Sequence, residues 1–395
     1  SEDADLEELG EIEISGKKYT WNTKQTGAVG RMIIDKPFLQ IVEELQAQLA
    51  VEKFGNEIIG QVKKYYRAGE TIEQATFEFV NALFSQFGLL ILLPDNAALK
   101  KSFVPIMKRE LEQQFSADAV AETIKYFPAE YKIQAAGREL NLFYLHENIR
   151  ERIETTKDGF SIANTSLHFS KSEILLELQN HPERFSPNVI LRPVFQELIL
   201  PNIIFIGGGG ELAYWLELKK VFETANIFFP MLVLRNSFML VQKKQIELIH
   251  KLQLNPVDFF IPVNDLFKSI IQKLSSIQMQ LDEEKKSVSD LYLKIAETAA
   301  KVDRSLLPHT QNLKVKTLKR LGQLEQKMLR SEKKKFEATE RQINKIKASL
   351  FPGGTLQERK DNLLYWYAIC GKDFLLEIYK SSKGLEQSFC ILKQS

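Results

Sequence analysis

The chain has 395 residues, of which 53 are Lys or Arg and 51 are Asp or Glu. Its 44% of hydrophobic and 26% of charged residues are ordinary values for globular proteins, so they exclude wholesale disorder. The length predicts two or three structural units. The formal net charge of +2 gives no general reason to expect a nucleic-acid partner.

The sequence carries no sign of a membrane or secretory protein. Its longest apolar runs are far shorter than the roughly 18 residues that a membrane-spanning helix needs. The first nine residues are acidic, whereas a signal peptide begins basic and then turns apolar. Cys370 and Cys390, the two cysteines, make neither a disulfide framework nor a complete zinc site. We therefore expect a cytoplasmic protein with no membrane partner and no metal centre.

The first 130 residues predict helices around a buried strand. In chain order, the predicted elements are strands at 11–14 and 18–21, helices over 39–87, a strand at 89–93 and a helix over 97–115. The segment Leu89–Leu93 is apolar throughout, which is typical of a parallel strand covered on both faces. The succession of helix, strand and helix therefore predicts a parallel α/β sheet.

Residues 130–263 continue this predicted core with shorter elements. They are strands at 140–145 and 160–162, a helix that starts at Ser172, with Ser170 as a competing cap, and ends at His181, a strand at 203–206, a helix over 211–222 and a strand at 228–234. We expect residues 1–263 to form an α/β core with helical insertions.

A coiled-coil arm is predicted from residue 264 onward. Between Phe267 and Val302, nine of eleven positions spaced alternately by three and four residues are apolar, and no Gly or Pro interrupts them. A second long helix is predicted to run to about Phe351, which gives an antiparallel hairpin. The predicted domains are the core at 1–263, the arm at 264–350 and a helical segment at 351–395 that packs on the core.

Four glycines form the first candidate site. Gly207, Gly208, Gly209 and Gly210 separate a predicted strand from a predicted helix that begins at Glu211. Glycine lets a ligand approach the backbone, and a helix N-terminus offers unpaired N–H groups, so this loop could hold a phosphate or a carboxylate. It matches neither a Walker A motif nor a GxGxxG fingerprint. The alternative is a tight strand–helix turn without a ligand.

Further residues near the predicted strands are candidates for substrate or nucleotide binding. The polar ones are Asn188, Arg192, Gln196 and Arg235. Arg192, expected in extended backbone before Pro193, and Arg235 could clamp a phosphate or carboxylate, or form structural ion pairs. Tyr214 and Trp215 could stack on an adenine or a sugar, although aromatic residues at helical spacing are more often core.

Two charged segments remain. Asp3 and Asp5, in the acidic N-terminal run, could bind Mg²⁺ or a substrate amine, or could form a solvated turn. Residues 314–347 hold twelve bases and four acids, and such a helix could meet nucleic acid, although a solvated face is the commoner role. The five His lack metal-ligand spacing, and spacing alone assigns no catalytic residue.

Six segments together resemble one protein family. They are Ser1–Leu9, Arg138–Tyr144, Ser186–Pro193, Gly207–Trp215, Lys316–Leu321 and Phe351–Arg359. In this order they resemble the bacillithiol biosynthesis cysteine-adding enzymes, and the resemblance runs from residue 1 to about residue 380.

The resemblance implies a Rossmann-like core, related to class I aminoacyl-tRNA synthetases, and a coiled-coil arm that pairs two subunits into a homodimer. It implies a ligase that joins the carboxyl of L-cysteine to the amine of glucosaminyl-malate, with ATP and Mg²⁺ as the expected source of activation. On this reading the glycine loop and Glu211 hold an anionic group, and Arg192 and Arg235 steady phosphates or malate carboxylates. Asp3 or Asp5 holds the substrate amine or a metal.

Two features depart from the family pattern. Relatives usually begin with a further stretch that contains a Gly-Gln-Gln segment and the first strands of the core, so we expect this chain to lack an upstream part. Ala4 stands where many relatives carry His.

Two other functions stay open. One is a non-catalytic coiled-coil assembly protein whose α/β core binds a nucleotide as a regulatory ligand, and the weaker one is a nucleic-acid binder that uses the basic helix.

Overall fold

The structure, a computed structural model, describes residues 10–135, 137–274 and 281–394, apart from the side chains of 272–274, 329 and 332–335. The chain forms two compact units. The first reaches to Ser237 and includes Asp361–Cys390, and the second comprises Phe238–Lys360 and the residues from Ile391 onward.

The first unit combines helices with strands along its whole length. Its helices are α1 (Lys36–Leu49), α2 (Gly55–Tyr65), α3 (Ile72–Phe84), α4 (Ala97–Gln113), α5 (Phe115–Lys125), α6 (Lys171–Asn180), α7 (Arg192–Ile199), α8 (Gly209–Glu217), α9 (Lys219–Ala225), α15 (Leu363–Cys370) and α16 (Lys372–Ser381). Its strands are β1 (Glu11–Ile14), β2 (Lys17–Thr20), β3 (Leu142–His146), β4 (Ile149–Thr156), β5 (Gly159–Ile162), β6 (His168–Phe169), β7 (Phe185–Pro187), β8 (Ile204–Gly207) and β9 (Met231–Leu234).

A five-stranded antiparallel sheet lies in the middle of the first unit. Its strand order is β6-β5-β4-β3-β7, and Tyr144 of β3 faces Glu151 of β4 and Phe185 of β7. Inward-facing side chains of this sheet share one core with α4–α9, in which Trp215 and Phe222 are fully buried. The core therefore joins the sheet to the helices that follow the glycine loop.

The parallel pairing that the sequence predicts occurs between β8 and β9. Gly207 of β8 lies opposite Leu234 of β9, and both strands run in the same direction. Within the described residues this sheet has two strands. The pair places the ends of both strands at one edge, which is where open α/β sheets bind ligands.

The predicted buried strand at Leu89–Leu93 is wrong. This segment is irregular, and the side chain of Leu90 is 93% exposed. An apolar run forms a strand only where a neighbour accepts its backbone hydrogen bonds, and no described strand lies beside it.

Three local predictions also need correction. Arg192 is not extended but opens α7, because the Asn188 carbonyl accepts its N–H at 2.8 Å and Pro193 needs no donor at the second helical position. The α6 helix is capped by Ser170 rather than started by Ser172. The helix predicted over 211–222 is two helices, since Leu218 breaks it between α8 and α9.

The second unit holds the long helices. It contains β10 (Ser237–Val241), α10 (Lys243–Lys251), α11 (Val263–Leu274), α12 (Asp282–Val302), α13 (Leu307–Lys335), α14 (Glu337–Leu350) and β11 (Phe389–Lys393), which pairs with β10. Phe267 and Ile270 of α11 are buried with Ile343 and Leu350 of α14. The predicted heptad run is therefore divided: its start lies in this core, and residues 275–280 lie outside the described residues.

Helices α12 and α13 form the predicted antiparallel hairpin. Lys285 Nζ donates to Glu325 Oε2 at 2.7 Å, and the Tyr292 and Thr317 hydroxyls lie 2.9 Å apart. The paired residues are closer in sequence the nearer they lie to the turn at 303–306. This is the pattern that two antiparallel helices produce. No side chain of α12 is buried. The hairpin consequently keeps apolar side chains in solvent.

Candidate functional site

The glycine loop lies at the carboxyl edge of the parallel pair. Gly207 ends β8, and its carbonyl accepts the N–H of Arg235, the first residue after β9, at 2.9 Å. Two predicted site residues from distant parts of the sequence are thereby brought together. The hydrogen bond fixes the exit of β9 against the loop that begins α8.

The four glycines differ in what the fold requires of them. A Cβ on Gly207 would lie 2.6 Å from the ring of Phe205, so this position cannot hold a side chain without rearrangement. A Cβ on Gly210 would meet nothing within 4 Å, and one on Gly209 would meet only a Leu234 methyl group at 4.0 Å. The folded chain therefore explains the glycine at 207 but leaves open space above 209 and 210.

Glu211 already occupies part of the helix start. Its carboxylate accepts the N–H of Gly208 at 2.7 Å, which satisfies one donor at the beginning of α8. The N–H groups of Gly209 and Gly210 have no acceptor within an α-helix because they belong to its first turn. A ligand at this end would thus meet two free donors beside one carboxylate.

Arg192 and Tyr214 join α7 to the first part of α8. The Arg192 guanidinium donates to the Tyr214 hydroxyl. Burial raises the pKa of Tyr214 above its ordinary value, although the Arg192 charge acts in the opposite direction. Tyr214 therefore stays a neutral phenol that holds Arg192 near the helix that starts at the glycine loop.

Trp215 is a core residue, which was the alternative to ligand stacking. Its indole is fully buried and stacks on the Phe205 ring with centroids 3.9 Å apart. The Phe205 ring also fills the space that a side chain at Gly207 would need. The stacked pair of Phe205 and Trp215 therefore packs against the start of the glycine loop. Among the buried polar atoms of the described chain, Trp215 Nε1 has no hydrogen-bond acceptor.

Asn188 and Gln196 are engaged within the protein. Asn188 Nδ2 donates to Asn141 Oδ1 at 2.8 Å, and its own Oδ1 accepts the N–H of Ile190 at 2.9 Å. Gln196 Nε2 donates to the buried carboxylate of Glu197 at 3.1 Å. Both side chains therefore hold neighbouring backbone and side chains in place.

Two predicted residues lie outside the described residues, namely Asp3 and Asp5. Within residues 10–135, 137–274 and 281–394, no three His, Cys, Asp or Glu side chains are grouped so that they could hold a metal ion. In the same part of the chain, no helix combines the length and hydrophobicity that crossing a membrane requires.

Comparison with known proteins decides the family. Residues 1–236 match the model of the bacillithiol biosynthesis BshC N-terminal Rossmann-like domain, and residues 238–394 match that of the BshC C-terminal coiled-coil domain. The chain belongs to the BshC family. The boundary between the two matches coincides with the division between the two compact units at Ser237 and Phe238.

Curated BshC relatives align along nearly the whole chain. A protein of Flavobacterium johnsoniae named “Putative cysteine ligase BshC” is 38% identical over 392 residues, which cover 99% of this chain and 74% of the relative. The protein of the same name from Christiangramia forsetii is 36% identical over 397 residues, with the same two coverages. The one from Bacillus cereus is 26% identical, covering 99% of this chain and 76% of the relative.

The core of the first unit also contains groups that the sequence did not single out. Glu110 is fully buried and accepts from the Ser116 hydroxyl at 2.7 Å and from the Asn141 N–H at 3.0 Å. Burial raises the pKa of Glu110, although these hydrogen bonds act against the rise. The network fixes Asn141, which in turn holds Asn188, and no spacing pattern could have revealed it because its members are far apart in sequence.

Proposed function

We propose that this protein is a cysteine ligase of bacillithiol biosynthesis, which joins the carboxyl of L-cysteine to the amine of glucosaminyl-malate. Two matches to BshC domain models and the printed names of the relatives support the proposal. The structural observation that carries it is the glycine loop at the carboxyl ends of β8 and β9, with open space above Gly209 and Gly210. Such an enzyme would act in the cytoplasm.

The chemistry requires an energy source. The new C–N bond forms between the cysteine carboxyl carbon and the sugar amine, while one carboxyl oxygen must leave. A carboxylate is a poor acyl donor because its leaving group would be an oxide. ATP, with Mg²⁺, would supply a phosphoryl or adenylyl group that converts this oxygen into a good leaving group.

The residues of the loop fit one anionic group rather than a bare triphosphate. The Gly209 and Gly210 N–H groups can each donate to a phosphate or carboxylate oxygen, and the helix dipole favours negative charge there. The Glu211 carboxylate opposes a second negative group and instead favours an ammonium or a hydroxyl. Arg192 and Arg235 would steady the remaining phosphate or malate oxygens.

We further propose that the α12–α13 hairpin pairs two subunits. Leu291, Ile295 and Val302 lie along one side of α12 and are 54%, 43% and 80% exposed. Thr298 and Ala299 join Ile295 and Val302 in lining a shallow groove on the hairpin. A second copy offers the same stripe, so a two-fold dimer can bury both stripes at once.

The test of the activity is direct. The protein is incubated with L-cysteine, glucosaminyl-malate, ATP and Mg²⁺, and the products are followed by mass spectrometry. We expect a thiol of the bacillithiol mass that disappears when cysteine or glucosaminyl-malate is omitted. Omission of ATP tests whether ATP is the energy donor. Omission of Mg²⁺ tests whether the reaction requires the metal ion.

The outcomes separate the two functions. A folded, dimeric protein that forms no product contradicts the ligase and favours the assembly protein with a regulatory nucleotide. Product formation without ATP would retain the ligase but reject the proposed activation.

A further inference from the structure

A cavity lies in the first unit, and none of its lining residues belongs to the glycine loop. It has a volume of about 460 Å³ and lies where the end of α4, the β4–β5 hairpin and the start of α6 meet. Its lining residues are Leu111, Glu112, Gln114, Glu139, Thr155, Thr156, Gly159, Phe160, Lys171 and Leu175. The volume lies within the range of about 300–1,000 Å³ that is typical of small-molecule sites.

The cavity carries charges of both signs that do not neutralise one another. Neither Lys171 nor Glu139 has an ion-pair partner in the described part of the chain. Glu112 reaches only Lys108, at 3.9 Å and in an exposed i,i+4 pair, which is a weak interaction. One ammonium and two carboxylates, all on exposed residues, thus line a single cavity without pairing with one another, so a ligand would replace water at each of them.

The cavity has an apolar floor within a fixed and largely polar frame. Leu111 and Phe160 are 2% and 4% exposed, so they form a floor rather than a mobile rim. Gly159 has φ +155°, and a Cβ there would lie 2.1 Å from the Phe169 carbonyl oxygen, so the hairpin is pressed tightly against its neighbour. A capping box at Ser170 holds the backbone from which Lys171 projects.

We propose that this cavity binds a free α-amino acid. Lys171 pairs with the carboxylate of the ligand, Glu139 and Glu112 accept from its ammonium group, and the floor of Leu111, Phe160 and Leu175 receives an apolar or thiol-bearing side chain. A molecule with a single charge satisfies one side of the cavity and leaves the other unpaired. The site is distinct from the glycine loop and does not depend on the proposed ligase activity.

The experiment measures amino-acid binding by saturation-transfer NMR and calorimetry on the full protein. The probes are L-cysteine and L-leucine, with N-acetyl-L-leucine and L-leucine methyl ester as ligands that lack one charge. We expect both free amino acids to bind and each blocked form to bind at least tenfold more weakly. Lys171→Gln and Glu139→Gln are each expected to weaken binding at least tenfold.

Matched controls separate this site from the rest of the surface. Lys125→Gln and Glu130→Gln remove exposed charges outside the cavity and are expected to leave binding unchanged, and circular dichroism verifies the fold of every variant. Equal binding by wild type and Lys171→Gln would overturn the proposal, as would the absence of binding by any free amino acid. Binding that survives Lys171→Gln but is lost in Gly209→Ala would assign the amino acid to the glycine loop instead.

Discussion

Asp95 shows how a single residue can fix distant segments. Its carboxylate accepts from Arg31 at 2.5 and 2.7 Å and from Lys100 at 2.8 Å, and both cations also donate to the carbonyl of Glu183. The Asp95 and Lys100 side chains are only 8% and 1% exposed. Burial alone would raise the pKa of Asp95, but the hydrogen bonds and charges of the two cations outweigh it and lower the pKa.

Asp95→Asn is therefore expected to destabilise the protein by about 3 kcal/mol at pH 7, since it removes the carboxylate charge that both cations contact. The folded pKa lies below the unfolded value of about 3.9, so the stabilisation is present above about pH 4 and is lost as the pH falls through the folded pKa. Urea unfolding of both proteins at pH 7, 4 and 3 measures this difference. Asp118→Asn, at an exposed position, is the control, and a difference that stays constant down to pH 3 would contradict the assignment.

Gly209 is the residue that best separates a ligand role from a structural one. Alanine fits the backbone there without a clash, so Gly209→Ala is expected to leave the unfolding midpoint unchanged or slightly higher. If a substrate or nucleotide group approaches this backbone, kcat/KM falls at least tenfold. Gly60→Ala, in α2 with nothing within 4 Å of the added Cβ, is the matched control and should retain full activity. Full activity of Gly209→Ala would show that no substrate or nucleotide group contacts the backbone at this loop.

Helix caps are the feature of single elements that local sequence specifies best. Asp35, Thr71, Asn96 and Ser170 each accept a backbone N–H at the start of a helix, as their short polar side chains allow. The sequence predicts a helix that starts at Ser172, with Ser170 as a competing cap. Ser170 is the cap in the structure because the carboxylate of Glu173, three residues later, accepts the Ser170 N–H at 2.7 Å, while the Ser170 hydroxyl accepts the Glu173 N–H.

Ser170→Ala is accordingly expected to lower the free energy of unfolding by about 1 kcal/mol, through loss of the cap. Ser172→Ala lies within the first turn and is expected to change it by less than about 0.5 kcal/mol. Paired urea denaturation curves check both values. An equal effect of the two substitutions would mean that the cap is shared between the hydroxyls.

Local sequence patterns do not decide which apolar segments form strands. Two all-apolar segments both predict buried strands, yet Ile204–Gly207 forms β8 and Leu89–Leu93 forms no strand. The difference is a partner strand: β9 pairs with β8 in parallel. Pairing between distant segments is not encoded in local periodicity, which is also why the antiparallel register of β3 with β4 and β7 could not be read from the sequence.

For the whole molecule, periodicity was most informative in the second unit and least informative at the candidate site. The apolar heptad repeat predicts the antiparallel hairpin, because a repeat sustained over several heptads fits few structures other than paired long helices. The glycine loop was found from its composition, but the engagement of Asn188 with Asn141 depends on tertiary contacts 47 residues apart. Side chains that serve the core and side chains that serve a ligand have the same chemistry, so only geometry distinguishes them.

The exposed stripe of α12 carries the prediction about assembly. Leu291→Asp combined with Ile295→Asp places two charges on the stripe and is expected to convert the proposed dimer to a monomer while the rest of the fold persists. Leu293→Asp is a matched control, because Leu293 is also exposed, at 56%, but lies about 200° around the helix from Leu291. Sedimentation equilibrium measures the mass of each protein.

The Leu293→Asp control separates loss of the subunit contact from a general loss of helix stability. If a general loss of helix stability caused dissociation, Leu293→Asp would act as strongly as the stripe variant, because both add charge to the same helix. If the stripe is the interface, the control stays dimeric and the thermal midpoint of the wild type rises with protein concentration, since only the folded state associates. A stripe variant that remains dimeric would place the subunit contact on another surface.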